Sequence, residues 1–374
     1  MKFFIVIPTL IGAVQSLLVP KTRLDPYAPT GRSAFRRILI STFLPLNASR
    51  FPCSPEVVPY LPPETTRVYT QLAVGMGLPA AFVSAFEVDY CKLPPAAACK
   101  DSKKGVAFPV AIFSPGHSAS RLLYTALARS LASRGYVVIT IDHPHDADIV
   151  EFPDGTVIRG PDNTTSESAI LQNLQVRSGD ISFVINQLHN RTMLSHLIKG
   201  FPHQVDVSSI AVFGHSLGGA AAAAAMLTDS RIKGGLNFDG EIHGPVVADG
   251  LARPFALVSS AANKGSPALE NWNPFWDHLN DTRVELTISN TTHVSFLDIP
   301  LLLTIFPLPS ELRPKIEAAF GAVDGRQMEK IVDGILTAVF DVLFRGWVVP
   351  LCDLKRKFQE VSIVRSSLPQ SCSA

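Results

Sequence analysis

From residue 108 onward, short apolar runs alternate with longer segments whose apolar residues recur every three or four positions. The short runs are residues 110–113, 136–141, 210–213, 236–238, 255–258 and 284–288. Between them, residues 122–134, 171–188 and 217–227 carry helical spacing, and 327–344 follows with Ile331, Ile335, Val339 and Leu343 on one stripe. Strands alternating with helices predict an α/β fold with a mostly parallel sheet covered by helices on both faces. Before residue 106 the chain is rich in proline and less regular; residues 37–43 alternate as a strand and 64–86 read as a helix. The polar stretch from Lys355 predicts a loose tail.

The first residues follow another grammar. Met1-Lys2 is a short basic start, residues 3–14 are apolar, and Val14 and Ser16 are small residues at −3 and −1 of a cleavage site. This is the pattern of a secretory signal peptide, too short to span a bilayer. The expectation is a signal peptide over 1–16, one domain over 17–352 and a polar tail over 353–374, with the product secreted. Sequons at Asn47, Asn163, Asn190, Asn280 and Asn290 agree with export and predict glycosylation. The 5 cysteines fit an oxidising compartment. Cys91 and Cys99 lie close in a Pro/Ala-rich stretch and are the expected disulfide; the spacing does not choose a pair among Cys53, Cys352 and Cys372.

A hydrophobic content of 47% supplies a large core, and a net charge of +1 without a basic stripe argues against a nucleic-acid partner. Ligands of such sheets bind beyond the carboxyl ends of the strands, so chemistry is sought there. Gly214-His215-Ser216-Leu217-Gly218-Gly219 follows the strand 210–213 and opens the helix 217–227. This is G-x-S-x-G in its strand–turn–helix setting, with glycines making room for a strained serine. Ser216 at a helix N-terminus faces free N–H groups and the positive end of the helix dipole.

A serine nucleophile needs a base and an acid, which follow it in this fold in the order acid, then histidine. His293 follows the last strand on a polar turn, whereas His243 sits too close behind the preceding strand and His278 in a Trp-rich helical stretch. Asp239 directly ends the strand 236–238, and the next strand ends without any carboxylate, so elimination favours Asp239 over Glu241 and Asp298. The oxyanion donors assigned are the backbone N–H of Leu217 and that of His117, in the loop Ser114-Pro115-Gly116-His117-Ser118.

Three motifs then resemble the platelet-activating-factor acetylhydrolase family, the plasma and type II enzymes and their secreted fungal relatives, of the α/β-hydrolase fold. Phe113-Ser114-x-Gly116 followed by Tyr124 and Leu131-Ala132-Ser133-x-Gly135-Tyr136 is similar to the oxyanion loop and first crossover helix. Gly214-His215-Ser216-x-Gly218-Gly219 resembles the elbow, and Asp239-Gly240 with His293-x-x-Phe296-x-Asp298 the acid and base motifs. The resemblance runs from about residue 36 to 344. It implies calcium-independent hydrolysis of short or oxidised sn-2 acyl groups of phospholipids, with no cofactor. Ser-Pro-Gly-His in the oxyanion loop and Asp142-His143-Pro144-His145-Asp146 depart from the animal pattern, which leaves the acyl pocket open.

Other features are weighed against plainer readings. The 142–146 segment has His and Asp in close spacing but no fourth ligand in a metal motif, so it is read as pocket structure and no metal is expected. Gly75-Met76-Gly77-x-x-Ala80 lacks a preceding strand and contains Pro79, which excludes a dinucleotide loop. The apolar run 297–309 reads as an acyl wall, a transient contact with a lipid interface, or a buried connection; Trp272, Phe275 and Trp276 read as pocket mouth or core. Together these residues predict a serine esterase acting on a phospholipid or other small ester. An acyltransferase, a cyclase and a catalytically silent binding protein are kept as alternatives.

Overall fold

The computed structural model describes residues 2–5, 11–19, 23–28, 34–46, 54–93, 106–160 and 166–369. The strands of its main sheet are β1 (Ile11–Leu18), β2 (Ile38–Pro45), β3 (Ala107–Ser114), β4 (Val137–Asp142), β5 (Gln204–His215), β6 (Ile232–Phe238), β7 (Phe255–Ser260), β8 (Arg283–Ile288) and β9 (Val361–Ser366). They lie in the order β9-β8-β7-β6-β5-β3-β4-β2-β1. From β4 across to β8 every pairing is parallel, while β1, β2 and β9 pair antiparallel. The sheet is that of an α/β-hydrolase, as the alternation of runs predicts.

Side chains alternate across the strands, so neighbouring residues enter different cores. Phe113 and Phe213 pack on one face with α2 (Thr125–Ser133) and α6 (Gly325–Arg345). Ile112 and Val212 pack on the other with α3 (Glu167–His189) and α4 (Leu217–Thr228). The Ala220–Ala223 run of α4 is buried. Trp272, Phe275 and Trp276 are buried too, which decides for core over pocket mouth.

Two readings change. The helix expected over 64–86 is α1 (Pro63–Gly75), followed by turns and a strand Phe86–Cys91. Gly77, at φ 86°, and Pro79 interrupt it. The expected loose tail is instead ordered through 369 and supplies β9, because Val361 and Ile363 alternate with polar residues and fit the open edge of β8. Polar composition had hidden that period of two. At the other end, Ile11–Leu18 forms the edge strand β1 in the full chain, and the expected cut after Ser16 falls within it.

Cys91 and Cys352 are each in a disulfide; Cys53, Cys99 and Cys372 lie outside the described residues, so the Cys91–Cys99 pairing stays an expectation. Asn190, Asn280 and Asn290 are exposed, and Asn47 and Asn163 lie outside the described residues.

Candidate active site

Strand β5 ends at His215 and α4 begins at Leu217, so Ser216 alone makes the turn, at φ 55° and ψ −129°. A non-glycine residue there is strained by on the order of 1–3 kcal/mol and persists only where its surroundings hold it. They do so at backbone distance. A Cβ on Gly218 would lie 2.0 Å from Ser114 O, and one on Gly240 would lie 2.0 Å from Ser216 O. The Ser216 N–H donates to Phe238 O at 2.8 Å, tying the turn to β6.

Asp239 follows β6 directly, also at positive φ (54°), with its N–H on Val258 O. Its buried carboxylate accepts from Ser260 N–H (2.7 Å), Ser260 Oγ (2.9 Å), Asn263 Nδ2 (2.8 Å) and His293 Nδ1 (2.8 Å). With Nδ1 committed to Asp239, Nε2 is the ring nitrogen of His293 free for proton transfer. The imidazole is 41% exposed, against 0% for Asp239, so the ring reaches the surface and the carboxylate lies beneath it. Among the described residues Ser216 Oγ makes no hydrogen bond to His293. The alternatives weighed from sequence lie elsewhere. Glu241 takes Asn271 Nδ2 and sits beside His243; Asp298 takes Tyr60 Oη and the Ala126 N–H; His278 Nδ1 faces the carbonyls of Val247 and Pro274.

Residues that sequence reading left without a role join these loops. Gly116 N–H donates to Tyr124 Oη (3.1 Å), which is 2.8 Å from His215 Nδ1, and His215 Nε2 is 2.8 Å from the His293 carbonyl. Burial, and then the neighbouring His293, hold His215 well below the usual histidine range, so its ring is neutral. The tautomer follows: Nε2–H donates to the carbonyl, and Nδ1 accepts from the tyrosine. One chain of hydrogen bonds thus connects the 114–118 loop, the turn at Ser216 and the loop that carries His293.

The 142–146 segment supports the same loop from below. His143 Nε2 meets Ser114 Oγ at 3.0 Å and its Nδ1 meets Asp180 at 2.9 Å; Asp180 in turn takes Arg36. Asp146 forks onto Arg177 and lies 3.3 Å from His117 Nδ1. Burial opposes the charge of Asp146, yet Arg177 and His117 hold it well below the usual carboxylate range. Both ring nitrogens of His143 are thus engaged within the protein, and among the described residues no cluster of His, Cys, Asp and Glu is arranged to hold a metal.

An apolar cavity of about 270 Å³ opens beside the oxyanion loop. His117 and Ser118 line one part of it, and Tyr69, Phe82, Leu297 and Leu302 line others. The run 297–309 therefore divides: Pro300 and Leu301 are buried in the short helix α5 (Ile299–Ile305), while Leu297, Ile299 and Leu302 form a cavity wall.

The geometry has parallels among known proteins. A family model described as platelet-activating factor acetylhydrolase, isoform II, matches residues 82–152 and 165–308. A probable 1-alkyl-2-acetylglycerophosphocholine esterase from Arthroderma benhamiae is 32% identical over 291 residues, 72% of this chain and 69% of the relative. A platelet-activating factor acetylhydrolase from Bos taurus is 27% identical over 195 residues, 44% of this chain and 43% of its own. Among solved structures, a ferulic acid esterase from Streptomyces cinnamoneus superimposes with a TM-score of 0.73 at 27% identity, covering 96% of this chain and 97% of that one.

Proposed function

The chain belongs to the platelet-activating factor acetylhydrolase family of ester hydrolases, and from that premise we propose a secreted serine esterase that removes a short acyl group from a glycerophospholipid, with Ser216, Asp239 and His293 as its triad. The observation that carries this reading is the 2.8 Å bond from His293 Nδ1 to the buried Asp239, on the loop whose main chain packs against the strained turn of Ser216.

In the first step Ser216 Oγ attacks the ester carbonyl and gives its proton to His293 Nε2. The carbonyl π pair moves onto oxygen, where the N–H groups of Leu217 and His117 hold it. Collapse of this intermediate breaks the bond to the alcohol, which leaves with the proton from His293. Water then repeats the sequence on the acyl-enzyme, releasing the acid and restoring Ser216. Asp239 keeps the imidazole in the tautomer with Nε2 free and stabilises its protonated form. Catalytic hydrogen bonds are often long before substrate arrives, which accommodates the missing Ser216–His293 bond.

The cavity supports a short chain. At about 270 Å³ it is smaller than the roughly 300–1,000 Å³ of pockets that hold drug-sized ligands. A second reading, an ester of an aromatic acid, has the ferulic acid esterase likeness in its favour. Phospholipids graded in sn-2 length, assayed beside methyl ferulate, separate the two. The first reading expects turnover to be highest for acetyl and to fall as the chain lengthens; preference for ferulate would replace it. Ser216→Ala should lose about 10⁶-fold in turnover while staying folded. Export is supported by the leader grammar and the sequons, and N-terminal sequencing of protein from culture medium should begin at Leu17.

A further inference from the structure

The mechanism needs the His117 N–H to be aimed before substrate arrives. A trans peptide is planar, with its C=O and N–H pointing in opposite directions. The carbonyl of Gly116 and the N–H of His117 belong to one peptide, so whatever grips the first directs the second. That carbonyl accepts from Arg177 Nη2 at 3.1 Å and, over a longer 3.3 Å, from the Ala119 N–H within the same loop, so Arg177 is the grip that comes from outside the loop. The same guanidinium donates through Nη1 to Pro115 O (2.5 Å) and Ser114 Oγ (3.1 Å), and through Nε (2.8 Å) and Nη2 (2.5 Å) to Asp146. A guanidinium carries five N–H donors in a fixed fork, and each is accounted for here. The side chain is 1% exposed, so it touches neither solvent nor substrate.

The other side of Gly116 is fixed as well. Its own N–H is taken by Tyr124 Oη, so it is not an oxyanion donor and the next N–H, that of His117, is. The residue abuts the nucleophile, since a Cβ built on it would lie 3.5 Å from Ser216 Cβ. Asp146, held in place by Arg177, also faces the His117 ring at 3.3 Å.

We propose that Arg177 is a positioning residue for ester hydrolysis: by holding the Gly116 carbonyl it turns the Gly116–His117 peptide so that the His117 N–H faces the developing oxyanion. This rests on Ser216 being the nucleophile. The clamp lies on helix α3, remote in sequence from the triad, and its fork cannot be reproduced by an ammonium with three donors.

Two variants test it. Arg177→Lys keeps the charge beside Asp146, and Arg177→Met with Asp146→Asn removes the buried pair together, so that no lone charge remains. Each should lower kcat for a nitrophenyl acetate, the double variant by about 10²-fold, the size of effect seen when one oxyanion donor is lost. KM should stay within about threefold of wild type. A structural role alone would not sort two ketone inhibitors of the same chain. The trifluoromethyl ketone bonds its carbonyl carbon to Ser216 Oγ, whose proton passes to His293, and leaves an oxyanion in the hole; the methyl ketone stays uncharged. Affinity for the first should fall in step with kcat/KM, and affinity for the second should hold. A folded variant with kcat within threefold of wild type overturns the proposal, as does equal weakening of both ketones. Should neither variant fold, the wild-type protein still decides. The ¹⁵N-labelled His117 amide proton must move downfield when the trifluoromethyl ketone binds, and an unmoved resonance overturns the assignment. Ser216→Ala run in the same assays keeps the premise separate: turnover retained there removes the triad reading whatever Arg177 does.

Discussion

Two buried aspartates, Asp239 and Asp298, hold different partners. Asp239 touches the His293 ring, whereas Asp298 accepts from Tyr60 Oη at 2.9 Å and from the Ala126 N–H at the start of α2. Asp239→Asn should therefore cut turnover by about 10⁴-fold through the wrong tautomer, with the circular dichroism spectrum unchanged. Asp298→Asn should keep most of its turnover, and a dead Asp298→Asn beside an active Asp239→Asn would reverse the assignment. Asp298 also predicts a pH effect. Burial, partly offset by the Ala126 N–H and Tyr60, pushes its carboxyl up to about 7 from an ordinary value near 3.8. The folded state then holds a proton that the unfolded chain has released, so this contribution is full below about pH 4 and is lost as pH rises through 7. Relative to Asp298→Asn, the wild-type urea midpoint should fall between pH 5 and 8. The turn at Ser216 and the pairing of Asp239 with His293 were legible in the sequence because each residue stands just beyond a strand or in a local motif. Tyr124, His215 and Arg177 were not, since their partners come from distant elements. Arg177 did leave one sign: with Leu174, Ile181, Val184 and Leu188 it lies on the buried stripe of α3, where a charge must have a partner.

Between elements, the elbow is a place where main chains meet without side chains between them. The Cβ that Gly218→Ala would add falls 2.0 Å from the carbonyl oxygen of Ser114, an atom of β3 that cannot swing aside. Turnover should collapse and the thermal midpoint drop by several degrees, from the roughly 1–3 kcal/mol that overpacking costs. Gly75→Ala, at the end of α1 with nothing within 4 Å, should change neither. Both are read by differential scanning fluorimetry with a parallel ester assay; an unaltered Gly218→Ala would mean that the elbow has slack. Elements were legible where the period was strong and regular, from β3 to β8. The ends were harder, because β1 and β9 are single antiparallel strands whose identity depends on an open sheet edge and not on their own composition.

At the scale of the molecule, the site belongs to no one segment. Ser216 follows β5, Asp239 follows β6, His293 follows β8, and the loop with Gly116 and His117 follows β3. Strand β5 pairs with β3 on one side and with β6 on the other, Ala211 opposite both Ala111 and Gly234. The consequence is one of time. Parallel strands joined by long crossovers are slow to assemble, because loop closure precedes the contacts that reward it, whereas a helix forms from neighbours in microseconds or less. On dilution from denaturant, far-UV ellipticity should therefore recover before ester turnover, and the interval should show exposed apolar surface by dye binding. Simultaneous recovery would mean that the crossovers close together with the helices. The hydrolysis of an ester thus marks the moment when the distant parts of this chain have found one another.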